Sequence, residues 1–136
     1  MNELLGYLRI IENQIHSILN RPFISSNPLE VKFRLALEEE KNAVHGAISA
    51  LENSGEGGPL LHYFLSILYR ADEVGHASFR AWARAASWMN LADEDTVKRL
   101  KEVFANMHQE LKDAAPVIQK LFNQQNAKYI VPPMYR

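Results

Sequence analysis

PLLHYFLSILYRADEVGHASFRAWARAASWM, residues 59–89, is the longest uninterrupted helical pattern in the chain. Leu61, Phe64, Leu68, Phe79, Trp82, Ala86 and Met89 recur at steps of three and four, the period of one α-helical face. Asp72 and Gly75 fall on the same stripe. Gly75 is the only interior breaker and costs about 1 kcal/mol against Ala in a helix interior. It leaves room for close approach by another helix or by a ligand. Apolar and aromatic residues also occupy other sides of this segment, so it needs more than one neighbour.

Working outward, Asn27-Pro28-Leu29-Glu30 announces a preceding helix. Asn27 is a capping residue, Pro28 suits the first helical position, and Glu30 stands where a capping box closes. Phe33, Leu37, Glu40, Val44, Ala47 and Leu51 form its inner stripe, with Glu40 as the polar anomaly. It ends near Asn53 in a Gly-rich reversal. No strand precedes that loop and no P-loop Lys follows, so it reads as an interhelical turn rather than a phosphate cradle.

A first helix spans about Glu3 to Asn20, with Leu4, Leu8, Ile11, Ile15 and Ile18 on one face. Leu5, Tyr7, Ile10 and Leu19 widen that face, which predicts either deep burial or a second subunit. After residue 90, Asp93 is placed to cap a fourth helix whose inner face carries Val97, Leu100, Phe104, Met107, Leu111 and Ala114. Pro116 is expected to kink or break it, and Asp113 to cap a short fifth helix bearing Val117, Ile118, Leu121 and Phe122. Residues 123–136 lack helical period.

No strand pattern or repeat is evident. The chain is therefore expected to be all-α: an up-down-up-down four-helix bundle domain, residues 1–122, with a short fifth helix and an extended C-terminal tail, residues 123–136. Pro132-Pro133-Met134-Tyr135 matches the PPxY pattern read by WW domains. Packing of the tail onto the bundle is the plainer expectation.

At 136 residues and a formal net charge of -1, the chain fits one domain with no broad field toward nucleic acid or membrane. The absence of Cys excludes disulfides and thiolate chemistry. No signal peptide or membrane span is read, and a soluble cytoplasmic protein is expected.

Counting helical rise at about 1.5 Å per residue places polar groups at matching heights. From the Gly-rich turn, Glu40 is about 17 Å along its helix, and Asp72 and Glu73 are about 20 Å along theirs. From the turn near residue 90, His76 and His108 are each about 20 Å down their helices. Glu40, Asp72, Glu73, His76 and His108 are thus the candidate metal ligands, with Fe, Mn, Zn or Ni suited to mixed carboxylate and imidazole donors. The alternative is ordinary pairing of a buried carboxylate with His or with Arg34, Arg70 or Arg80.

Glu73-Val74-Gly75-His76 resembles the Glu-x-x-His motif of ferritin-like di-iron bundles, which carry two such motifs and a Glu on each remaining helix. Glu40 and Glu12 are the residues that the resemblance nominates on the other helices. The second motif is absent: His45 does not follow a Glu at three residues, and Glu102 and His108 are six apart. Arg70 and His76 resemble the Arg-x5-His spacing of HEPN ribonucleases, but one continuous helix turns them about 120° apart. Arg and aromatic residues interleave along residues 69–88, a pattern that can stack bases.

The leading expectation is a non-enzymatic helical bundle acting through protein contacts as a homodimer, with Tyr63, Tyr69, Trp88 and the wide face of the first helix at the contact. No cofactor belongs to that reading. The alternatives are a metal-binding bundle, di-iron or incomplete, and a small nucleic-acid-directed subunit or ribonuclease.

Overall fold

In the first helix, Leu4, Leu8, Ile11, Ile15 and Ile18 all lose their solvent contact. Together they give about 1.5–3 kcal/mol of burial each, which is why an 18-residue amphipathic segment stays helical. The computed structural model describes residues 2–21, 27–54, 58–124 and 131–136. Its elements are α1 (Asn2–Leu19), α2 (Pro28–Ser54), α3 (Pro59–Met89), α4 (Glu94–Gln124) and a 3-10 turn, Pro133–Tyr135. The glycines 55, 57 and most of the linker after Arg21 lie outside the described residues.

Cross-helix contacts fix the directions. Arg9 pairs with Glu52 and Glu12 with His45, so α1 and α2 run antiparallel. Phe33 meets Trp82 while Gly46 meets Phe64, so α2 and α3 do too. Tyr69 bonds the Leu111 carbonyl and Phe79 stacks on Phe104, which sets α4 antiparallel to α3. α1 also packs on α4 and closes the ring. This is the expected all-α four-helix bundle, and the described residues contain no strand.

Phe33 organises one end of the core. It lies edge-on to Phe79, Trp82 and Phe104 at 5.7, 5.3 and 6.2 Å between centroids. Such contacts add about 0.5–1.5 kcal/mol each beyond area burial. Gly75 faces α2, where a Cβ would be 3.7 Å from Ala36 Cβ, so its neighbour on that side is a helix.

The caps follow the sequence. Asn27 Oδ1 accepts from the Leu29 amide at 2.9 Å, and Asp93 Oδ1 accepts from the Thr96 amide at 2.6 Å. Asn90 ends α3 in the left-handed region, φ 51°, a conformation that Asn tolerates. Glu30 closes no capping box. It is buried against Trp82 instead.

Two expectations are corrected. α4 runs through Pro116 to Gln124, so there is no separate fifth helix, and the Asp113 side chain accepts from Gln109. Ala114, Ala115, Ile118, Leu121 and Phe122 continue the buried stripe across the proline, and this packing offsets the roughly 3 kcal/mol that an interior proline costs. The described part of the tail, residues 131–136, is not extended. It forms the 3-10 turn and buries Val131 and Tyr135 completely, as the plainer tail expectation had it.

The wide face of α1 is mostly interior, since Leu5, Tyr7 and Leu19 pack against the core and only Ile10 stays exposed. Tyr69, expected at a subunit contact, is fully buried. Phe79 and Trp82 are buried as well and offer no face for base stacking. No helix among the described residues is long and apolar enough to cross a membrane.

Candidate metal centre

Asp72 falls on the inner stripe of α3 and has no exposure to solvent. A carboxylate so placed is costly unless other groups compensate it. Three do. Tyr135, carried in by the 3-10 turn, donates its phenol O–H to Asp72 Oδ2 at 2.5 Å. His76, one helical turn along, holds Nε2 3.4 Å from the same oxygen, within ion-pair range but out of alignment for a hydrogen bond. Glu40 comes from α2, only 1% exposed. Burial raises its proton affinity well above the usual carboxylate range, and the Asp72 charge raises it further. Among the described residues neither carboxylate forms an ion pair with Lys or Arg, so pairing with Arg34, Arg70 or Arg80 is not what compensates Asp72.

His76 reaches across the α3–α4 seam. Its ring lies 5.6 Å from that of His108 and 5.2 Å from that of Phe104. Burial lowers its proton affinity; Asp72 opposes this, and His108 and Arg80 add to it. The neutral imidazole that results is the ligating form. His108 in turn lies 4.9 Å from the Tyr135 ring. Burial and then the Asp72 carboxylate push the Tyr135 phenol far up, so it is a donor and not a phenolate.

Asp72, His76 and His108 each offer a ligand atom, and these atoms lie within 4.8 Å of one another. Metal–ligand bonds of about 2.0–2.2 Å set donor atoms about 3–3.5 Å apart, so closure by about 1 Å brings the three to bonding distance. The group can hold a metal ion. Asp72 Oδ1, His76 Nε2 and Glu40 Oε2 are buried and have no hydrogen-bond partner among the described residues. Folded interiors leave few polar atoms in that state, and these three belong to adjoining side chains.

Of the five candidate ligands, Asp72, His76 and His108 come together and Glu40 adjoins Asp72. Glu73 is half-buried on the next position of the helix and is not one of the three, although its charge reaches Tyr135. The motif on α3 is therefore Asp-x-x-x-His, one residue out of register with Glu-x-x-His. Glu12 faces His45 at 3.3 Å instead of the centre. Arg70 is exposed while His76 turns toward α4, so the Arg-x5-His pair does not converge.

Tyr135 and Tyr69 are the participants that sequence reasoning missed. Tyr69 donates to the Leu111 carbonyl at 2.7 Å and lies edge-on to Tyr135 at 4.9 Å, holding the turn between α3 and α4. The apolar content of the PPxY tail was the only signal that could have found Tyr135. His76 and His108 open onto a groove of about 850 Å³ between α3 and α4. No protein-family model, curated protein or solved structure matches the chain.

Proposed function

We propose that this protein is a metal-binding four-helix bundle that holds one divalent transition ion through Asp72, His76 and His108. The observation that carries the reading is the convergence of one carboxylate and two imidazoles within 4.8 Å at the α3–α4 seam. Tyr135 donates to Asp72 Oδ2, the oxygen 3.4 Å from His76 Nε2, and Oδ1 is buried without a partner among the described residues. Two imidazoles and a carboxylate suit Fe(II), and also Zn, Mn or Ni. Three protein ligands leave coordination positions open, the arrangement of sites that also take an exogenous ligand. The ferritin-like di-iron reading gives way to a single ion, because Glu73 and Glu12 supply no second set of donors at this centre.

The test is elemental analysis of protein purified without a metal-affinity tag, after loading with Fe(II), Mn, Zn or Ni. One ion per chain is expected, lost in His108→Ala with the helical signal retained. No stoichiometric uptake of any of the four, or uptake unchanged in that variant, removes the reading.

A second reading, a non-enzymatic interaction protein acting as a homo-oligomer, stands on Trp88 and Met89. They are 88% and 57% exposed side by side at the end of α3, where exposed large apolar residues mark contact surfaces. Light scattering across a concentration series tests it: a monomer at every concentration, unchanged by Trp88→Ser, removes it.

A further inference from the structure

The groove beside His76 and His108 is charged in one sense only. α3 contributes His76, Phe79, Arg80 and Arg84; α4 contributes Lys101, Phe104 and His108; no Asp or Glu lines it. Arg80, Arg84 and Lys101 are exposed, and none forms an ion pair among the described residues. Three uncompensated cations gathered along one seam are unusual in a chain whose net charge is -1. Beneath it lie Phe79 and Phe104, stacked on each other with centroids 4.2 Å apart and only 3% and 2% exposed, so only their rims reach the groove, and small residues, Ala83 and Ala105, keep the walls low. The volume, about 850 Å³, lies within the range of sites that enclose small organic molecules.

We propose that this groove binds a small organic anion, a carboxylate or phosphate ester with a compact apolar body. Its acidic group meets Arg80, Arg84 and Lys101, its body lies against Ala83, Ala105 and the rims of Phe79 and Phe104, and its far end faces the Asp72, His76 and His108 centre. This deepens the metal-binding reading and rests on it for the role of that far end.

Helical rise sets the span. Arg80 and Arg84 stand about 6 and 12 Å beyond His76 along α3, and Lys101 about 10 Å beyond His108 along α4. A molecule of one or two rings bridges that distance. Beyond Lys101 the cationic run is broken, because Asp93, Glu94 and Asp95, with Lys98 as the one added cation, line the adjoining hollow at the α3–α4 turn. A long polyanion running along the seam would meet those carboxylates, so the charge pattern favours a short ligand over a nucleic-acid strand. Arg is suited to both acid types through its planar fork of donors.

Calorimetric titration with phenyl phosphate, benzoate and the neutral benzyl alcohol, on the full chain with and without loaded Zn, tests this. Phenyl phosphate or benzoate should bind with salt-dependent affinity while benzyl alcohol binds at least tenfold more weakly. Whichever anion wins names the acid type. Arg84→Gln and Lys101→Gln should each weaken the anion about tenfold, the scale of one charged hydrogen bond, without altering metal content or melting temperature. Anion binding in protein that takes up no metal upholds the groove and removes only the metal reading. Metal uptake with no preference for either anion over benzyl alcohol overturns the groove and leaves the metal reading standing. A single-stranded RNA oligonucleotide that binds more tightly than both anions and loses affinity in the same variants also overturns it.

Discussion

Tyr135 and Asp72, 63 residues apart, share a hydrogen bond of 2.5 Å in the interior of the bundle. The contact ties the last turn of the described chain to the middle of α3. It also supplies the one donor that the buried Asp72 oxygen engages with good geometry. Val131, buried in the same core, and Tyr69, edge-on to the Tyr135 ring, help to hold the turn.

Tyr135→Phe removes that donor and keeps the ring. Hydrogen bonds to buried charged groups contribute about 1.5–3 kcal/mol, so urea denaturation of metal-free protein should show a loss of that size. Secondary structure should be retained, because the apolar contacts of the ring persist. A loss below about 0.5 kcal/mol would mean that Asp72 draws little from the tail.

The metal reading depends on register along α3. Asp72→Asn should abolish stoichiometric metal uptake, while Glu73→Gln should leave it unchanged, since only Asp72 has ligand atoms within reach of both imidazoles. Glu40→Gln retains the shape of the protonated acid that burial favours there. It should preserve the fold and weaken the metal roughly tenfold by altering the group that adjoins Asp72. Elemental analysis of the three variants, loaded alike, separates these outcomes. Loss of metal in the Glu73 variant would restore the Glu-x-x-His alternative.

The inner stripes of α1 and α2 were legible because helical period alone sets them: each residue read onto those stripes, Glu40 included, is buried. The level pairing of His76 with His108 was legible too, because a fixed rise per residue counted from a shared turn is a ruler. Which carboxylate points inward was not. Neighbouring positions differ by about 100°, and both Asp72 and Glu73 lie one turn or less from His76. The continuity of α4 through Pro116 was hidden because local chemistry favours a break there, and only tertiary burial of Ile118, Leu121 and Phe122 outweighs it. The docking of Tyr135 had no periodic signature at all.

Two glycines should respond in opposite ways to a methyl group. At Gly75 an added Cβ meets Ala36 Cβ at 3.7 Å and Phe104 Cε1 at 4.0 Å, ordinary contact distances. Gly75→Ala should therefore gain up to about 1 kcal/mol from helix propensity. At Gly46 the same atom would lie 2.5 Å from Phe64 Cε1, and Phe64 is packed edge-on to Tyr63. Gly46→Ala should lose about 1–2 kcal/mol, overpacking exceeding the gain in propensity. Thermal unfolding of the two variants beside the parent measures both signs.

Glu30 gives the pH dependence that lies apart from the metal centre. It is buried in the first turn of α2, and desolvation raises its proton affinity above the ordinary value of 4.5; the Arg34 charge and the Trp82 indole N–H oppose this without cancelling it. The Trp82 N–H adjoins the carboxylate but is not aligned for a hydrogen bond. Because the folded form holds the proton more tightly than the unfolded chain, the contribution to stability is complete below pH 4.5 and falls as pH rises through the folded value. Glu30→Gln cannot ionise and removes that slope. The variant should melt higher than the parent at pH 7, and the difference should vanish as pH is lowered below 4.5. Melting curves from pH 3.5 to 7.5 decide it. A variant that melts lower at pH 7 would show that the helix N-terminus and Arg34 favour the charged carboxylate more than burial disfavours it.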